Sequence, residues 1–162
     1  FKASFDFFGK DFFLVVLTPN NVIDVLNKLK QSQMPVDRVF VTSVKHENVP
    51  NYLSISDFAF SMIKPAPSRK YCSPIKHGEY WANGLPFFLE RGVGDDSEIV
   101  ENEGGGVILN WSNLNTSFSE MRELINVGRS DLANTISSLA RKYRDEKFIN
   151  ETYDTLLKDA FN

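Results

Sequence analysis

The sequence contains one cysteine, Cys72, and two histidines, His46 and His77. A single cysteine excludes an internal disulfide, so nothing asks for an oxidising compartment and a cytoplasmic location is expected. Three such residues at scattered positions do not make a metal-ligand spacing, and no metal or other cofactor is expected. Neither G-x-G-x-x-G nor the Walker pattern occurs, which argues against a generic NAD or ATP binder. No apolar run approaches the roughly 18–20 residues of a membrane span. Residues 1–11 carry Lys2, Asp6, Lys10 and Asp11 among aromatics, which is not a signal-peptide pattern. Charge of one sign is also missing. Lys and Arg total 18 against 21 Asp and Glu, a net charge of −3, so bulk attraction to nucleic acid is excluded.

What is present is an ordinary globular balance, 42% hydrophobic and 24% charged, which excludes a disordered or collagen-like chain. The length of 162 residues suits one domain. The chain opens on Phe1, already inside an amphipathic run, and so reads as a domain cut from a longer protein and truncated at its N-terminus.

Hydrophobic patterning predicts alternating elements. Phe1, Phe5 and Phe8 have helical spacing. The continuous apolar run 12–17 reads as a strand buried on both faces. Val22, Val25, Leu26 and Leu29 share one helical face. Further strands are expected at 39–44, 58–63, 86–89 and 106–109, with a short helix over 49–56. Another helix should start at Ser73-Pro74, with Ser73 as cap, and stop at Gly84. Asp95 and Glu98 have capping spacing, Ser117 and Glu120 that of a capping box, and Ser130 is placed to cap a further run. A last apolar face is read from Phe148, Ile149, Tyr153, Leu156, Leu157 and Phe161. Strand and helix in alternation argue for an α/β, doubly wound parallel sheet of Rossmann-like type. Ligands bind such sheets beyond the carboxyl ends of the strands.

One such loop has a local charge bias. Residues 64–78 hold Lys64, Arg69, Lys70, Lys76 and His77 and no acid. Lys76 and His77 fall in a first helical turn, where a cation opposes the helix dipole unless an anion is bound there. The alternative is a set of solvated surface charges. Glu79, three residues beyond Lys76, is either its surface ion-pair partner or a carboxylate for ribose hydroxyls. Gly92 and Gly94 suit close backbone approach to a ligand or to another loop, and equally a tight strand-to-helix turn. His46 has no visible partner and reads as a polar loop residue.

The segment running from Ser73-Pro74 through Lys76, Glu79, Ala82 and Gly84 to Pro86 resembles the S-P-x-K-x-x-E-x-x-A-x-G-x-P pattern of GT-B glycosyltransferases. It is most similar to the retaining group-1 (family 4) type. Residues 49–57, the loop from Lys64-Pro65 to Arg69, and Gly92-Val93-Gly94-Asp95 resemble flanking family motifs, so the similarity covers roughly residues 11–110. The resemblance implies a C-terminal, nucleotide-sugar-binding domain, with the acceptor domain and the first phosphate-binding strand outside this chain. Lys76 and Arg69, and also Lys70, would stabilise the departing diphosphate. Ser73, Gly92, Gly94 and Asp95 would touch phosphate or sugar, Glu79 the ribose, and the stretch from Val44 to His46 the base. Implied partners are a nucleotide sugar and a sugar or lipid-linked acceptor, with peripheral membrane association of the full-length protein. One departure stands out: Tyr71 occupies the place of a second family Glu. It leaves room for a catalytically degenerate binding or scaffolding domain.

Overall fold

Phe87-Phe88-Leu89 is buried on both faces of a parallel sheet, and the fold is built outward from it. The computed structural model describes residues 1–160, leaving out the side chains of 149, 152, 153, 155, 156, 159 and 160. In chain order the strands are β1 (Leu14–Leu17), β2 (Val39–Thr42), β3 (Ala59–Phe60), β4 (Phe87–Leu89) and β5 (Gly106–Ile108). The helices are α1 (Lys2–Phe8), α2 (Val22–Gln31), α3 (Val49–Ser54), α4 (Ile75–Ala82), α5 (Asp96–Glu103), α6 (Leu114–Asn126), α7 (Arg129–Tyr143) and α8 (Glu146–Ala160). No helix among the described residues is long and apolar enough to cross a membrane.

All strand pairs are parallel, as the alternation predicts, but the single sheet is split. β1 pairs with β2, while β3, β4 and β5 form a second sheet in that order. Rings fill the junction in place of a hydrogen-bonded ladder. Phe12 stacks on Phe58 at 5.9 Å and Phe8 lies 5.2 Å from Phe58, with Phe5 edge-on to Phe12.

Alternation along the three-stranded sheet separates two layers. Phe87, Leu89 and Ile108 face Trp81 of α4, Ile99 and Val100 of α5, and Ile136 and Leu139 of α7. Phe88 and Val107 face Phe118 and Met121 of α6 and Phe7 and Phe8 of the α1 segment. Complete burial of each such side chain contributes about 1.5–3 kcal/mol. The two-stranded sheet is covered on one face only. Leu14, Val16 and Val39 join the Phe5 and Phe12 cluster. Phe13, Val15 and Phe40, on the opposite face, are exposed.

Several helix starts differ from expectation. α4 begins at Ile75 after Pro74, so Ser73 is not its cap. Ser117 lies inside α6, donating to Ile108 O and accepting from Asn110 N at 2.9 Å, because the end of β5 needs those partners. α7 starts at Arg129 after Gly128, and Asp95 precedes α5 without a side-chain cap bond. Ile149, Tyr153, Leu156 and Phe161 lie outside the described side chains. The stop at Gly84 is as expected: φ is +65°, and Leu85 N bonds Tyr80 O at 2.9 Å. A Cβ at Gly84 would stand 2.6 Å from the Ala133 Cβ of α7. Gly84→Ala is therefore expected to cost about 2 kcal/mol or more, from left-handed strain plus overpacking, read as a lower urea midpoint.

Candidate functional site

The loops after β2, β3 and β4 and the start of α4 carry the residues singled out in the sequence. After β3 the chain passes through a tight 3-10 turn, Pro67–Tyr71, closed by Cys72 N donating to Arg69 O and held by Arg69 Nη1 donating to Lys64 O. The loop after β4 locks onto it. Gly94 N donates to Arg69 O at 3.0 Å, with φ at +60°, and a Cβ there would lie 2.1 Å from Cys72 O. Gly94 thus serves loop-to-loop packing, and Gly92 lies beside Pro65.

Arg69, Lys70, Ser73 and Lys76 are exposed around the start of α4, which has no side-chain cap. Among the described residues, none of Lys64, Arg69, Lys70 and Lys76 forms an ion pair. Lys76 and Glu79 do not pair with each other. Glu79 instead lies 3.7 Å from His46, which reaches it from the loop after β2. His46 therefore has a partner that the sequence did not reveal. Val44 is half-buried on the same loop, and Asp95 is exposed, 3.9 Å from Arg144. Burial, with the Glu79 charge beside it, pushes the Tyr80 hydroxyl above its ordinary range.

His77 leaves the cation cluster altogether. It lies four residues before Trp81, on the buried stripe of α4, and is 1% exposed. Its Nδ1 sits 2.6 Å from Asp96 Oδ2 and its Nε2 2.6 Å from Ser61 Oγ. Arg144 at the end of α7 donates to Asp96 Oδ1. The Arg144 stem passes over Gly78, where a Cβ would stand 3.2 Å from Arg144 Cγ. The signal in the sequence was the i, i+4 spacing of His77 and Trp81. Nothing local foretold Asp96, 19 residues away.

Two cavities lie elsewhere. One is bounded by Leu53, Asp57, Gly84 and Ala133. The other, about 650 Å³, runs along β5 beside Arg91, Trp111 and Glu120. Neither is lined by a candidate residue. No protein-family model, curated protein or solved structure matches this chain.

Asp96 is fully buried and relies on Arg144 for its countercharge. Arg144→Leu should cost about 3 kcal/mol of unfolding free energy, because a buried charge loses its partner. Arg91→Leu, which breaks the exposed pair with Glu101, is the comparison and should leave the urea midpoint nearly unchanged. Tyr80 supplies a pH test. Its folded value is raised, so its contribution is complete below the unfolded value of about 10 and is lost as pH rises through the folded value. Tyr80→Phe should flatten the alkaline decline in stability, measured by urea titrations across pH 9–12.

Proposed function

We propose that this chain is the donor-binding domain of a GT-B glycosyltransferase of the group-1 (family 4) type. The full enzyme would move a sugar from a nucleotide diphosphate sugar to an acceptor hydroxyl in polysaccharide or glycoconjugate synthesis. The observation that carries the reading is the set of exposed cations, Arg69, Lys70 and Lys76, without ion-pair partners among the described residues, around the start of α4, which has no side-chain cap. They fall within and just before the segment that resembles the family pattern. A sugar or lipid-linked acceptor would be held by a separate domain, with peripheral membrane association and a cytoplasmic site of action.

The chemistry asks little of this domain beyond fixed charge. When the bond between the anomeric carbon and the diphosphate oxygen breaks, negative charge collects on the leaving group. Lys76, Arg69 and the first N–H groups of α4 stabilise that charge without needing to reorganise. Lys70 adds a contact to phosphate, and Ser73 and the turn from Gly92 to Asp95 add contacts to phosphate or sugar, with Gly94 holding that turn against the cationic loop through its bond to Arg69 O. Glu79 accepts from ribose hydroxyls, and its half-buried place beside His46 fixes its direction. The base lies against Val44 and His46.

A second reading has one observation in its favour. Tyr71, where the family carries an acid, is 86% exposed at the end of the 3-10 turn. A domain that binds nucleotide sugar without transfer would fit that replacement. Nucleotide binding without sugar transfer by the full-length protein selects this second reading.

Titration with UDP and GDP tests the site itself. Lys76→Ala should weaken the better of the two ligands about tenfold or more, since charge-assisted bonds contribute about 1.5–3 kcal/mol. Lys28→Ala, on exposed α2, should leave affinity unchanged. Equal effects of the two substitutions overturn the assignment. A thermal-shift panel of UDP-, GDP- and ADP-sugars identifies the base, because a ligand of the native state raises the unfolding midpoint.

A further inference from the structure

Ser61, His77 and Asp96 have the spacing of a nucleophile, a base and an orienting acid, with both contacts at 2.6 Å. Their surroundings do not suit that chemistry. Ser61 is 4% exposed, His77 1% and Asp96 0%, and neither cavity described above reaches them. Arg144 already occupies the other carboxylate oxygen.

What the three share is their place in the chain. Ser61 is the first residue after β3, where the cationic loop departs. His77 follows Lys76 and lies two residues before Glu79, at the start of α4. Asp96 opens α5, directly after the Gly92–Asp95 turn. Among the described residues, the imidazole is therefore the one side chain that bonds both neighbouring elements at the site from inside. Ring contacts hold it in place: Phe87 lies 4.6 Å away, centroid to centroid. A ring without nitrogens would pack there but would bond neither neighbour.

We propose that His77 is a positioning residue, tying the loop after β3 and the turn after β4 to the start of α4 so that Lys76, Arg69 and Glu79 keep one mutual geometry. The inference rests on the nucleotide-sugar reading for its ligand, while the loop geometry can be read without any ligand. Its action passes through the backbone of the loops, and His77 itself touches no substrate.

The test is hydrogen exchange on the whole chain, read segment by segment, for wild type, His77→Phe, His77→Asn and Met121→Ala. Met121 is fully buried in the layer beneath α6, away from the site. His77→Phe should speed exchange in residues 62–74 and 92–96 by about tenfold or more relative to β5 and α6. Met121→Ala should show the opposite distribution. His77→Asn, whose amide N–H stands near the place of Nδ1, should restore protection to 92–96 and not to 62–74. UDP or GDP affinity should fall about tenfold in His77→Phe and stay within about threefold of wild type in Met121→Ala. A rise in exchange in His77→Phe that is no larger in residues 62–74 and 92–96 than in β5 and α6 overturns the inference. If His77→Phe does not fold, Ser61→Ala carries the same test: exchange should rise in 62–74 alone, and a uniform rise overturns the inference. A localised exchange change together with no nucleotide binding by the full-length protein supports the positioning role and sinks the nucleotide-sugar reading.

Discussion

The complete burial of Phe87-Phe88-Leu89 is the constraint from which the rest of the structure follows. A strand with apolar side chains on both faces needs a layer of helix on each side. α4, α5 and α7 supply one layer, α6 and the α1 segment the other. Once α4 is pressed against Phe87 through Trp81 and His77, its first turn stands above the end of the sheet. The exposed cations, Glu79 and the interlocked loops take their places from that packing. Gly78 and Gly84 let α7 approach α4 this closely, one beneath the Arg144 stem and the other against Ala133.

Much of the architecture was legible because it depends on local pattern. The apolar runs at 12–17 and 86–89 mark strands, and the i, i+3, i+4 spacings mark helices. Gly84 ends α4 for a reason visible in one residue, its left-handed backbone. The split of the sheet was not legible. Pairing between β1 and β3 is a nonlocal property, and Phe8, Phe12 and Phe58 carry no pattern that separates ring stacking from strand pairing.

The candidate site shows the same division. Clustering of Arg69, Lys70 and Lys76 is a fact of composition and survives as an exposed group with no ion pair among the described residues. His77 belonged to that cluster by sequence alone. In the fold it points inward, because a helix sorts neighbours onto opposite faces and Trp81 sets which face is buried. The Ser61 and Asp96 contacts come from residues 16 and 19 positions away, beyond any local spacing rule. The capping spacing at Ser117 fails for a related reason. A serine hydroxyl serves whichever backbone group the tertiary structure leaves in need, and for Ser117 that is the end of β5.

The aromatic junction between the two sheets has a mechanical consequence. A ladder of hydrogen bonds resists sliding, since each bond has a direction and a register. Stacked and edge-on rings have preferred arrangements but no fixed register, and can exchange one such arrangement for another over small displacements. On that ground the seam through Phe8, Phe12 and Phe58 should yield more readily than the hydrogen-bonded three-stranded half. His46 and Glu79 lie on opposite sides of it, 3.7 Å apart. Displacement along that seam would alter this separation, so the His46–Glu79 approach is a contact through which the two sheets sense each other.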